Sequence, residues 1–453
     1  MGCRSVDTSC RVFLCAPEES MLRLNAIQAK PGMTLAMPVY HPAQPSTILL
    51  RAGAVLQERT IAALYELGVG ELWIEYPHLE QVADCISEEV IQARAETMQV
   101  LSDAFDAMRP DVGAELDYRA FRRAIVDLVN ALMNNPDAAL LVQDMYGCEH
   151  PLLQHAANVA YISLLIGLKI DFYLEHQRPR LEPAHARDVS SLGLGAVLHD
   201  VGVLKLDEDV VEQYLASGDE YEQRFRQHVK LGYDMVRGQI DPTAASIVLH
   251  HHQRFDGSGY PGRKTGAGVH TPAGTDIHVF ARIVAAADLF DALRFPPRPP
   301  SQPPAPPMPT VRALKRMSEP PISDWIDPVI YLGLLAVVPP YPPGTTVELS
   351  NGIKGVVTRW HPDEPCRPVV REIPGLGDKI DAPPGEECNL KDHPELCVVV
   401  AHGHDVRNDN FYSSEEVPFD LHGVARALIN RAAGPIGKSA KPTDPSSGLA
   451  QAG

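Results

Sequence analysis

The sequence predicts a mainly helical chain, with a small α/β module before the helical region and a small β-rich module after it. Three observations predict this. Residues 21–77 alternate short apolar runs with turns; from 78 to about 335 apolar residues recur at helical spacing; beyond Val337 the runs become β-favouring around an Asn351-Gly352 turn. The 453 residues are enough for two or three domains. Lys and Arg total 40 against 58 Asp and Glu, so the net charge of −18 speaks against a general DNA or RNA binder, which would be basic.

Residues 1–20 contain Cys3, Cys10 and Cys15 and only a brief apolar run, Val12 to Ala16, too short for a secretion signal. A lipoprotein reading of Cys15 is weak, and 1–20 are expected to be disordered or to precede the true start at Met21. In the module 21–77, Thr60 is placed to cap a helix over Ile61 to Leu67, and Leu72 to Tyr76 has strand character. Residues 78–147 read as connecting helices, periodic through Ala95 to Met108 and Phe121 to Met133, with no obvious chemistry. The most apolar stretch, Val159 to Ile170, is interrupted by Gly167 and Lys169 and falls short of the roughly 20 residues a bilayer span needs.

Between Pro296 and Pro309 nine of fourteen residues are proline, which forbids helix and favours an extended surface insert. Such an insert has the composition that docks on aromatic grooves of signalling proteins, although a stiff loop is the plainer reading. The β-rich module should occupy 336–433, with a hairpin from Thr345 to Trp360, and 434–453 reads as a disordered tail. The eight cysteines show no C-x-x-C pairing, so neither a disulfide framework nor a zinc knuckle is expected and a reduced, cytoplasmic setting is the default.

Eleven of the eighteen histidines fall between His150 and His278. In order, the chain offers His155, His199-Asp200, His228, His250-His251-His252 and Asp288, imidazoles and carboxylates of the kind that hold Fe(II), Mn(II) or Zn(II). A lone histidine on an apolar helix is usually a core residue. Here His199 ends the apolar run Leu192 to Leu198 and Asp288 sits within Ile283 to Leu293; an acid in each apolar helix needs a partner, and a metal is the economical one. The turn Asp256-Gly257-Ser258-Gly259-Tyr260-Pro261 follows, with glycines that allow close backbone approach.

The set His155, His199-Asp200, His228, His251 to Pro261 and Ala287 to Leu293 resembles the HD-GYP family, bacterial cyclic di-GMP phosphodiesterases of the HD hydrolase superfamily. The resemblance implies an all-helical HD-type metal-dependent hydrolase domain over about 148–335, and two divalent ions, Fe or Mn. It implies that Asp200 bridges them, with His155, His199 and Asp288 completing one site and His228, His251 and His252 the other. Catalysis would centre on His199 and Asp200 and on a bridging hydroxide, cleaving cyclic di-GMP to linear pGpG or GMP. Substrate contacts would fall on Arg254, Asp256, Gly257, Gly259, Tyr260, Pro261 and Arg298, although solvated arginines are an equally good reading of the two cations; His250 reads as a neighbour, not a ligand.

Three departures accompany the match. The lysine of the usual HD-x-G-K motif is Val203, the usual glutamate after the paired histidines is Gln253, and Pro300 stands where a tyrosine commonly lies. An acidic ligand for a third metal would fall near Pro151, so two ions are expected. Losing one transition-state contact typically costs about 2.7 to 4 kcal/mol, so a slow enzyme is expected. The competing reading is a metal-loaded cyclic di-GMP receptor or signalling module with little turnover; a different nucleotide substrate within the superfamily is a third. A homodimer is compatible with all three.

Overall fold

The computed structural model describes residues 20–41, 44–108, 117–136, 151–266, 268–299, 307–374, 384–412 and 423. The expected disorder of 1–20, apart from Ser20, and of 434–453 lies outside these residues, as do Pro300 and the centre of the proline-rich insert. Among the described residues no single helix is long and apolar enough to cross a membrane.

Helix Pro151–Lys169 organises the helical region. Its residues are apolar on nearly every face, and a helix of that kind is stable only when surrounded. Val159, Ala160, Ile162, Leu164 and Ile166 are fully buried, and helices Ser190–Val197, Val279–Arg294 and Pro328–Leu335 pack around it. The connecting helices join the same core. Helix Glu88–Met108 and helix Tyr118–Asn134, capped by Asp117 Oδ1 on the N–H groups of Arg119 and Ala120, contribute Val90, Leu101, Phe121, Ile125 and Leu128 to it. The helices Glu88–Met108 and Tyr118–Asn134 thus pack on each other and on the helical body, which covers their apolar stripes. Among the described residues of this region, one antiparallel hairpin, Arg263–Thr265 with Gly268–His270, interrupts the helices.

In the N-terminal module strand Met21–Asn25 pairs antiparallel with Glu71–Glu75, and Val39–His41 with Gln44–Leu50. Its helix runs Glu58–Glu66 and begins at Gln57 without a side-chain cap, three residues earlier than a Thr60 cap would give. The C-terminal module is a six-stranded antiparallel sheet in the order Glu387–Asn389, Val369–Glu372, Lys354–Arg359, Thr346–Leu349, Val398–Ala401, His404–Asp405. The predicted hairpin is its centre, turned at Gly352 with φ +86°. The two modules share a core: Val356 and Ile373 of the sheet pack with Leu22, Leu72 and Trp73. Small sheets bury too little apolar surface alone, and each covers a face of the other.

Candidate metal centre

Helix Ser190–Val197 stops at Leu198, and a 3-10 turn over Val201–Lys205 swings the chain so that His199 and Asp200 project from the junction. Gly202 makes this possible. A Cβ there would lie 2.0 Å from the His228 carbonyl oxygen and 2.4 Å from the Gly232 nitrogen, so only glycine lets the turn rest on the helix His228–Val236. Helix Pro242–His250, with proline in its first turn and Asp241 capping Thr243 and Ala244, ends at His250 and delivers His251 and His252 just beyond its last turn. Helices Pro151–Lys169 and Val279–Arg294 contribute His155 and Asp288.

These elements bring all seven candidate ligands together, in two sets. Asp200, His228, His251 and His252 offer donor atoms within 4.8 Å of one another, as do His155, His199 and Asp288. Asp200 touches both: Oδ1 lies 3.3 Å from His228 Nε2 and 3.5 Å from His251 Nε2, while Oδ2 lies 3.6 Å from His199 Nε2 and 4.0 Å from His155 Nε2. The imidazoles are oriented from behind. The Nδ1–H groups of His199, His228 and His251 reach the carbonyls of Ala196 (2.7 Å), Phe225 (2.7 Å) and Val248 (3.0 Å), which turns each Nε2 inward. His155 Nδ1 bonds Asp291 Oδ2 at 2.8 Å, and its Nε2 faces Asp288 Oδ1 at 3.1 Å.

Electrostatics fit a cation. Burial lowers the pKa of His199 and His252 and brings His228 down to about 4, so these rings are neutral donors near neutral pH. Burial would raise the Asp200 carboxyl, but the imidazoles of His199, His251 and His228 outweigh it and hold the group well below its ordinary value. For Asp288 too the burial penalty is overcome, chiefly by His155. At His155 burial is outweighed by Asp288 and Asp291, which push the imidazole well above its usual range. His199 Nε2 and Asp200 Oδ1 are buried with no hydrogen-bond partner, a costly arrangement unless a shared positive ion satisfies both. The donor set of imidazole and carboxylate, without sulfur, suits a divalent transition metal.

An open cavity of about 50 Å³ adjoins the second set, lined by Glu220, His251, His252, Arg254, Asp288 and Trp325 among others. The Arg254 guanidinium lies 3.4 Å from the centroid of Trp325 and 4.3 Å from that of Tyr221. The remaining expected substrate residues stand elsewhere. Asp256 Oδ1 accepts from the backbone and hydroxyl of Ser258 at 2.9 and 2.7 Å, and Gly257 adopts φ +83° in that turn. Gly259 is pressed on the chain, its missing Cβ 2.4 Å from Arg254 N and His252 O. The Tyr260 ring stacks on His252 at 4.7 Å and its hydroxyl donates to the Glu220 carbonyl at 3.0 Å, while Pro261 O accepts from Gln253 Nε2 at 2.8 Å. The loop's visible work is to hold His252 and the Glu220 backbone in place. Arg298 does not line the cavity. His250 turns away to Ser246 O at 3.1 Å. Val203 is buried with Val210 and Phe225.

Sequence reasoning passed over Glu220, Trp325 and the support chain behind His155. Asp291 Oδ1 accepts from Asn158 at 2.9 Å, and Asn158 Oδ1 accepts from Arg94 at 2.5 Å. Asp291 stands three residues after Asp288, a spacing that puts both on one helix face and was readable.

Residues 179–330 match the family model described as HD domain. The chain is 27% identical over 262 residues to a cyclic di-GMP phosphodiesterase of Pseudomonas aeruginosa, covering 57% of each chain. It is 33% identical over 109 residues to a cyclic di-GMP phosphodiesterase response regulator of Xanthomonas campestris, covering 23% of this chain and 27% of the relative. With a 3'3'-cGAMP-specific phosphodiesterase of Vibrio cholerae it shares 31% identity over 99 residues, 21% of this chain and 17% of the relative. The chain therefore spans little more than half of the first of these relatives and less of the others.

Proposed function

We propose that the chain, whose residues 179–330 match the HD domain model, is a metal-dependent phosphodiesterase of cyclic di-GMP of the HD-GYP kind. The observation that carries the reading is the convergence of two His/Asp ligand sets on Asp200 beside an open cavity. His155, His199 and Asp288 would hold one divalent ion, Fe or Mn, and His228, His251 and His252 the other, with Asp200 between them. Such a pair supplies activated water and neutralises phosphate charge, the chemistry phosphodiester hydrolysis needs.

The chain's own residues do the rest. The backbone carbonyls behind His199, His228 and His251 fix their tautomers. Arg254, held between Trp325 and Tyr221, presents a cation at the cavity, and aromatic faces there suit a nucleobase. The substrate's negative charge is compatible with an acidic chain because recognition is local.

One observation favours the second reading, a cyclic di-GMP receptor with little turnover. At the position of the family's lysine, Val203 is packed against Val210 and Phe225 and offers no donor to a phosphate. The test is to load the protein with Mn(II) or Fe(II) under anaerobic conditions and follow cyclic di-GMP by chromatography, beside a His199→Ala/Asp200→Ala variant. Appearance of pGpG or GMP that the variant abolishes establishes the phosphodiesterase. Intact but bound nucleotide establishes the receptor. Running 3'3'-cGAMP alongside identifies the preferred cyclic dinucleotide.

A further inference from the structure

We infer that Glu220 is a metal ligand of this centre, closing it on the cavity side together with His252 and Asp288. The inference rests on the metal-binding reading above and adds a residue that neither the HD signature nor the ligand spacing points to.

Glu220 lies between helices Glu208–Ser217 and His228–Val236. Its Oε2 is 3.6 Å from His252 Nδ1, and Asp288 Oδ2 is 3.9 Å from the same nitrogen. The three residues can place one donor atom each within 4.8 Å of one another. Both separations are too long for hydrogen bonds. They suit two ligands of one ion: with metal–ligand bonds of about 2.0 to 2.2 Å, co-ligands lie up to about 4.4 Å apart.

His252 supplies the independent observation. Its side chain is only 9% exposed, yet among the described residues neither ring nitrogen has a hydrogen bond, unlike His199, His228 and His251, whose Nδ1 atoms are all engaged. An imidazole whose side chain is nine-tenths covered, with Nδ1 standing between two carboxylates beyond hydrogen-bond reach of either, is placed for an ion to join all three. Glu220 is also held in place. Its backbone carbonyl accepts the Tyr260 hydroxyl at 3.0 Å, so the ring stacked on His252 also fixes the loop carrying Glu220. The Arg254 Nη2, 3.5 Å from Glu220 Oε1, is the cation that competes for this carboxylate.

The test compares Mn(II) content and chelator-competition affinity of the full chain with Glu220→Gln, using Glu212→Gln on an exposed helix face as control and circular dichroism to verify folding. Glu220→Gln should weaken the most labile Mn(II) by about tenfold or more, and change the visible spectrum of the Co(II)-loaded protein, while the control matches wild type. Arg254→Gln, which frees the carboxylate, should tighten Mn(II) binding by threefold or more; this readout stands even where Glu220→Gln fails to fold. Wild-type loading with unchanged affinity in a folded Glu220→Gln, or no tightening in Arg254→Gln, overturns the inference while leaving the proposed function intact. A wild-type chain that binds no metal overturns both.

Discussion

Replacing Asp291 by Asn should loosen the metal site without touching a ligand. The Asp291 carboxylate engages two neighbours at once: Oδ2 with His155 Nδ1 at 2.8 Å, and Oδ1 with Asn158 Nδ2 at 2.9 Å. An amide of the same shape has one acceptor, so either the imidazole or Asn158 loses its partner in a site where Asp291 is 3% exposed. A hydrogen bond to a charged buried group is worth about 1.5 to 3 kcal/mol, which corresponds to roughly a 10- to 150-fold loss in affinity for the ion that His155 would hold. The bond from Arg94 to Asn158, one link further out, should count for less, so Arg94→Met is expected to cost under about tenfold. The assay is chelator competition with Mn(II), with thermal unfolding of the metal-free protein as the folding control. Unchanged affinity in Asp291→Asn, or a larger loss in Arg94→Met than in Asp291→Asn, would refute the reasoning that this chain orients His155.

Gly202→Ala should destabilise the fold by about 3 kcal/mol through overpacking, since its Cβ meets backbone atoms that cannot rotate away; urea unfolding within 1 kcal/mol of wild type would contradict this. Asp327→Asn should cost about 3 to 5 kcal/mol, because Asp327 Oδ2 partners Arg282 Nη1 and accepts the Tyr173 hydroxyl at 2.8 Å in a buried network. The same denaturation assay reads it, and a loss below about 1 kcal/mol would show the pair to be dispensable. Burial, aided by Arg178 and Arg282, brings His278 down to about 4, and its neutral ring accepts from Phe280 N at 3.2 Å to cap helix Val279–Arg294. The unfolded chain therefore binds the proton first as pH falls. This group's contribution, about 2 to 3 kcal/mol, is full above pH ~6.5 and lost between ~6.5 and ~4. His278→Asn retains a cap and should flatten the stability slope in that window; parallel slopes would exclude His278 as the cause.

The sequence by itself determined the helical class, the candidate donor residues that the fold gathers, and the small α/β and β-rich modules on either side. Periodicity reports burial directly: a run such as Val159 to Ile166 can be stable only at the centre of a helical body, and there it is. Donor chemistry is equally local, since only certain side chains bind a transition metal and their order along the chain is written out. Tertiary structure alone decided which donors meet. Glu220 stands between helices with no periodic signal; Arg94 reaches Asn158 across 64 positions; Trp325 covers Arg254 from another segment. It also decided that helix Glu88–Met108 packs into the same helical core as Pro151–Lys169 and that the two outer modules share one core through Val356, Ile373 and Trp73. Such contacts follow from how amphipathic faces find cover in three dimensions, which no local pattern of residues encodes.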